Sequence, residues 1–274
     1  GAFKIVELTE HTFDLRTMFA EYRAFPVSLA EAVNKVSTVQ PVVADVQSTS
    51  HAFTVTLEPS GYWMFGGGYD LQEEVGDADM APVRDCRVRW DGNQGTVDPE
   101  LLIVPATGIK GALAHRIAFH YNALTGVFAE KTPDPKAVTG EANPAVRCLF
   151  GQCKTESADN HDASERGRVI IDDLYLSQDS LSHLIHHVGI DRYTGGARDQ
   201  VLFSERPIWQ GGAIALTIYV TDPAQITDLN VRRAFRLALK DLTDGRLQVG
   251  AGHGRGSGYF TGKLQEPVEW LQDV

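Results

Sequence analysis

Five glycines fall at every second position near the end of the chain: Gly250, Gly252, Gly254, Gly256 and Gly258, with His253, Arg255 and Ser257 among the residues between them. Glycine tolerates positive φ and lets a backbone pass close to a ligand, so such a run can present N–H groups to an anion. Arg255 and His253 can add charge-assisted contacts to a phosphate. A dinucleotide fingerprint sits between a strand and a helix, whereas this run follows a helical pattern and leads into a strand. A flexible turn is the plainer reading, but five regularly spaced glycines are entropically costly for a turn alone. A second anion-suited segment is Thr107-Gly108-Ile109-Lys110-Gly111, which opens a helical pattern. The first N–H groups of a helix and its dipole favour an anion, and Gly108 and Gly111 leave room for one. Lys110 in the first turn opposes that dipole unless an anion is bound; an ordinary helix start with a solvated lysine explains the segment equally well. The third is Ile190–Arg198, in which Arg192 and Arg198 could fork onto phosphate. Tyr193 or Phe203 could stack on a base or wedge beside it. An ordinary surface hairpin with an Asp–Arg pair is the alternative there.

The elements that must position these segments are legible in part. Ala52–Glu58 alternates as a strand does, and Pro59-Ser60-Gly61 ends it. The Gly- and Asp-rich stretch 66–99 reads as a long loop, functional or disordered. Thr107 is the expected N-cap of a helix whose buried face is Ile109, Leu113, Ile117, Tyr121 and Leu124, stopped by Gly126. Residues 130–166 read as an exposed excursion, Arg168–Leu176 as a strand, Gly189–Trp209 as a hairpin or arm, and Ala213–Val220 as the third strand. Asp228 is placed to cap a second helix with Val231, Phe235, Ala238 and Leu242 on its apolar face, ended by Gly245. Gly258–Leu264 is the last strand. The order predicts an α+β fold, a ferredoxin-like (RRM-like) βαββαβ domain over residues 51–274 with long insertions. Two amphipathic stretches, Leu15–Tyr22 and Leu29–Val36, predict a helical N-terminal extension over residues 1–50.

A chain of 274 residues with 43% hydrophobic content can build a sizeable core. No apolar run is long enough to span a bilayer and none opens the chain as a leader would, so the expected location is cytoplasmic, with no membrane partner. Three cysteines cannot all pair within one chain, and that compartment keeps thiols reduced. A net charge of -11 argues against a general nucleic-acid binder. Any phosphate-binding face must gather its basic groups while the acids lie elsewhere. Cys148 and Cys153, with His161 or the His183, His186, His187 group, could hold zinc, but their spacing is loose and no fourth ligand is marked, so buried thiols with ordinary histidines are the better reading. His115 and His120 could serve as general bases, but His120 shares the apolar face of its helix and reads as a packed histidine.

Val104–Gly111, the Leu149-Phe150-Gly151 turn, Arg168–Asp173, Ile190–Ala197 and Gly250–Gly258 occur in consistent order. Together, over roughly residues 51–265, they resemble the RAMP superfamily, in particular the backbone subunits of type III CRISPR effector complexes, which serve antiviral defence. The resemblance implies binding of guide RNA by its backbone. The residues carrying it would be Gly108, Lys110, Gly111, Arg192, Tyr193, Arg198, Gly252, His253, Gly254 and Arg255. It also implies stacking beside other effector subunits and, in some members, cleavage of the paired target RNA. In the cutting subunits a loop aspartate precedes a Pro-Val-Arg-like stretch, and Asp79-Met80-Ala81-Pro82-Val83-Arg84-Asp85 is similar to it. Asp79 is then the candidate catalytic carboxylate, with Asp70, Asp77 and Asp85 as alternatives, and an acidic solvated loop that cuts nothing as the plainer reading. The expectation is no cofactor in the free protein and a divalent cation such as Mg2+ for cleavage. Two other functions fit the same residues: a stand-alone guide-RNA-processing endoribonuclease using a histidine, and a non-catalytic assembly module.

Overall fold

A computed structural model of the chain describes residues 13–24, 50–68, 78–91, 94–152, 165–176, 181–265 and 271. The chain divides into two units, Gly1–Ser48 and Thr49–Val274. In the first, the described residues form helix α1 (Phe19–Ala24), and the Phe13 ring packs edge-on to Tyr22. The expected amphipathic stretch Leu29–Val36 lies outside the described residues.

The second unit runs in order through β1 (His51–Pro59), β2 (Leu101–Val104), α2 (Ala106–Thr125), α3 (Pro144–Phe150), β3 (Val169–Ile171) and β4 (Leu174–Leu176). It continues with β5 (Ile185–Ile190), β6 (Ala197–Glu205), β7 (Ile214–Val220), α4 (Leu229–Thr243) and β8 (Phe260–Leu264). The main sheet has the order β3-β7-β1-β8, and every neighbouring pair is antiparallel. The fold is therefore α+β, with several antiparallel sheets and four α-helices among the described residues.

Alternation decides which face of this sheet is buried. Phe53, Val55 and Leu57 of β1 and Ile214, Leu216, Ile218 and Val220 of β7 point into the core, while Thr54, Thr56, Ala215 and Thr217 between them do not. The same core takes Ile109, Leu113 and Ile117 from α2 and Val231, Ala234, Phe235, Ala238, Leu239 and Leu242 from α4. Phe53 meets the Phe235 ring edge-on. Asp228 caps α4 as expected, accepting from Asn230 N at 2.8 Å. Gly126, in the left-handed region, closes α2.

Several expectations need correction. Thr107 is not the N-cap of α2, because the helix begins one residue earlier, and Asp173 Oδ1 accepts from Ala106 N at 2.7 Å. A carboxylate distant in sequence thus does the work assigned to a local hydroxyl. Leu124 does not join the buried face; the last turn of α2 projects beyond the core and leaves it exposed. Arg168–Leu176 is two strands, since the chain leaves the main sheet at Asp172-Asp173; β3 pairs with β7 and β4 with β2. The stretch 66–99 is folded where it is described. Gly66–Gly68 pairs with Ala81–Pro82, Arg84–Asp85 with β2, and Val88–Asp91 with Gln94–Val97. Each of these pieces is two to four residues long, too short for a period to register. The excursion 130–166 is partly packed, since α3 buries Ala145, Val146 and Leu149. Fully buried Asn143 caps α3 through Ala145 N and Val146 N and donates to Asn122 Oδ1 and Val138 O. Residues 153–164 lie outside the description.

Candidate nucleic-acid interface

The glycine run is a tight loop. Gly250, Gly252, Gly256 and Gly258 all have φ between 80° and 90°. A Cβ on Gly250 would stand 2.3 Å from Met64 O, and one on Gly258 2.4 Å from Val249 O, so no other residue fits either position without moving the backbone. Ala251 N donates to Met64 O at 2.6 Å and Gly258 N to Tyr62 O at 2.8 Å, which fastens the loop to the segment following β1. His253, Gly254 and Arg255 form the exposed tip, and a Cβ on Gly254 would meet open space.

Phe65 joins this loop to the start of α2. Its ring lies 3.2 Å from the Cβ position of Gly108 and 3.7 Å from that of Gly250. The glycine loop and the first turn of α2 therefore flank one buried ring. At that helix start, Asp173 already occupies the Ala106 donor, so the most N-terminal anion position holds a carboxylate of the chain itself. Gly108 and Gly111 are exposed, and Lys110 is half-buried with its ammonium 5.9 Å from the centroid of Phe150, in the Leu149-Phe150-Gly151 turn.

Strands β5 and β6 form the expected hairpin. Asp191 organises its tip, accepting from Thr194 N at 2.8 Å, Tyr193 N at 3.0 Å and Thr194 Oγ1 at 3.0 Å. The backbone donors of Thr194 and Tyr193 hold its carboxyl below the usual aspartate range. This turn presents Tyr193 at 91% exposure, with Arg192 and Arg198 also exposed.

The root of the hairpin contains two residues that sequence patterns did not single out, Glu205 and Ser204, and it places Phe203 against His187 and Arg255. Glu205 is buried, and its carboxylate accepts from Arg255 Nε at 3.3 Å, from Arg255 Nη2 at 2.5 Å and forms a 2.9 Å hydrogen bond with His187 Nε2. The Phe203 ring stacks on His187 at 4.7 Å between centroids, and the Arg255 guanidinium lies 5.2 Å from the same ring. Arg255 is thus held by a carboxylate and a ring, with its side chain still 38% exposed. The neighbouring residue, Ser204, reaches Asp79: Asp79 Oδ2 accepts from Ser204 N at 2.6 Å and from its hydroxyl at 3.1 Å. Asp79 remains exposed at a bend. One continuous set of contacts therefore runs Asp79, Ser204, Glu205, Arg255, from the loop before β2 through the hairpin root to the glycine loop. The available signal for Glu205 was an acidic residue closing an otherwise β-forming run, which when buried demands a cationic partner.

Asp85 is exposed and accepts from Cys86 N, while Asp70 and Asp77 lie outside the described residues. Among the described residues no group of three or more His, Cys, Asp and Glu is arranged to hold a metal ion. His120 is packed as expected, its Nε2 2.7 Å from Asp241 Oδ2, and His115 is exposed. No helix among the described residues is long and apolar enough to cross a membrane.

Compared with models of known families, residues 63–261 match the model of the RAMP superfamily, which covers well over half of the chain. No curated protein matches the chain significantly.

Proposed function

The chain belongs to the RAMP superfamily, and from that membership, which supports a CRISPR-associated RNA-binding role, we propose that it is a guide-RNA-binding subunit of a type III CRISPR interference complex. In this reading the strand order of the main sheet, with α2 and α4 packed in its core, is the ferredoxin-like (RRM-like) βαββαβ arrangement. The guide RNA lies along the glycine loop, the Lys110 helix start and the Arg192 hairpin. Other effector subunits stack beside it, and the complex works in the cytoplasm.

One observation carries the proposal: the glycine loop and the first turn of α2 flank the same Phe65 ring, while the exposed tip of the loop bears His253 and Arg255. Two segments read from the sequence as phosphate-binding are thereby neighbours although about 140 residues separate them, and with Asp173 on the Ala106 donor the helix start would contribute Lys110 rather than its first N–H. The overall charge of -11 then limits binding to this face.

Cleavage of target RNA through Asp79 is the catalytic part of the proposal. Mg2+ is commonly held by one or two carboxylates together with substrate phosphates, so a single exposed carboxylate suits an ion that arrives with the RNA. Such an ion would supply charge stabilisation at the leaving oxygen. Asp79 would help to hold it, and Ser204 fixes the carboxylate by its Oδ2 edge.

Titration of single-stranded RNA onto the full chain at several salt concentrations tests the binding role. The expected result is measurable affinity at low salt that falls linearly on a log–log scale as salt rises. Absence of binding at low salt would contradict it.

A further inference from the structure

Tyr62-Trp63 and Ile208-Trp209 form a short antiparallel ribbon, with Ile208 opposite Trp63 and Trp209 opposite Tyr62. Directly opposed side chains share a face. The inner pair is buried at 1% exposure for each residue, and Trp63 Nε1 donates to Gln210 O at 2.6 Å, so the ribbon is anchored in the core. The outer pair lies at the surface: Trp209 is 37% exposed and meets the ring of half-buried Tyr62 edge-on at 4.6 Å. His183 adds a second edge-on contact to Tyr62 at 5.8 Å, and its Nδ1 forms a 2.9 Å hydrogen bond with the Tyr62 hydroxyl. Leu181, at 69% exposure, lies alongside, its carbonyl accepting from Trp209 N.

We infer that Trp209, backed by Tyr62 and His183, is a stacking site for an unpaired base of bound RNA; this rests on the RNA-binding reading above. The position supports it. Tyr62 O is the acceptor for Gly258 N of the glycine loop, and the His253 ring lies within 3.4 Å of the Cβ position of Gly258. The aromatic ribbon is thus hydrogen-bonded through Tyr62 to the loop that carries His253 and Arg255, and aromatic rings beside basic groups are the combination that single-stranded nucleic acid requires. The dimensions agree as well. Four side chains suit one planar base, whereas a stable protein partner needs about 800 Å² from each side. Because the rings are already fixed by their mutual contacts, stacking would order little that is not ordered beforehand.

The test compares wild type, Trp209→Ala and Trp209→Phe as full chains, each binding a short single-stranded RNA and the same RNA with abasic positions. Trp209→Ala should weaken binding of the intact RNA roughly 5- to 150-fold. It should leave the salt slope unchanged, because no phosphate contact is removed. Trp209→Phe should recover most of the loss, and the abasic RNA should not distinguish the variants. Equal binding of intact RNA by wild type and Trp209→Ala would overturn the inference while leaving the RNA-binding role in place. Equal weakening on intact and abasic RNA would overturn it by assigning Trp209 to the fold. A wild type that binds no RNA would remove the functional reading and this inference with it. Loss of self-association in Trp209→Ala with RNA affinity unchanged would make the platform a protein contact, and also overturns it.

Discussion

Asp241→Ala should destabilise the folded chain by about 1.5–3 kcal/mol, the usual cost of losing a hydrogen bond to a charged group, because Arg116 stays partly exposed to solvent. Asp241 lies on α4 with its side chain 9% exposed, and its Oδ2 receives both Arg116 Nε at 2.5 Å and His120 Nε2 at 2.7 Å from α2. The variant would leave both of those groups without their carboxylate between the two long helices. Burial alone would raise the Asp241 pKa, but the hydrogen bonds and charges of Arg116 and His120 outweigh it and hold the carboxyl below the ordinary aspartate range. A carboxyl depressed in the folded state contributes stability that is fully present above its unfolded pKa, near 3.8, and is lost as pH falls through its folded value. Urea denaturation of wild type, Asp241→Ala and Asp241→Asn between neutral pH and pH 2 would measure this. Both variants should be weaker at neutral pH, and the gap should narrow in acid. A variant as stable as wild type at neutral pH would mean that the triad does not clamp α2 to α4.

On the proposed cleavage role, Asp79→Ala should reduce metal-dependent cutting of target RNA by an assembled complex by roughly 10²-fold or more, while guide and target affinity stay near wild type. The carboxylate repels phosphate, so it does not anchor RNA; its expected contribution is confined to the cation and the reacting oxygens. Because Oδ2 also accepts from Ser204, Asp79→Asn is the better control for structure: an amide oxygen can keep those hydrogen bonds while the charge is lost. Both variants should show this loss of cutting. Cleavage at the wild-type rate in both, with loss in Asp70→Ala, Asp77→Ala or Asp85→Ala, would move the catalytic role to another aspartate. Unchanged cleavage in all of them would make this subunit a scaffold and assign cutting to a different chain.

Long periodic elements were the readable part of the fold. Phe53, Val55 and Leu57 in β1 and every second residue in β7 are buried, and α4 buries Val231, Phe235, Ala238 and Leu242 at helical spacing, so their patterns alone placed them. Elements held by one distant partner were not readable. Asp173 caps α2 from 67 residues away, and the break it makes between β3 and β4 looks in sequence like a continuous strand. α3 lay hidden in a Pro- and Glu-rich stretch, although Asn143-Pro144 is a helix-start signature that could have exposed it. At the candidate interface, the types of Arg255, His253 and the glycines were informative because they are chemically suited to phosphate. Their restraint by Glu205 was not, because the Arg255 contact joins residues 50 apart that no local spacing relates.

That restraint makes Arg255 the sharpest probe of RNA binding. Held by Glu205 and lying over Phe203, its guanidinium has a fixed position and a 38% exposed side chain, and so can contribute a phosphate contact at little further entropic cost. The direct measurement is the affinity of full-length wild type and Arg255→Ala for several unrelated single-stranded RNAs over a series of salt concentrations. Loss of the contact should weaken every RNA to a similar extent and lower the log–log salt slope by about one unit. Equal affinities and equal slopes for the two proteins would contradict a phosphate-binding glycine loop.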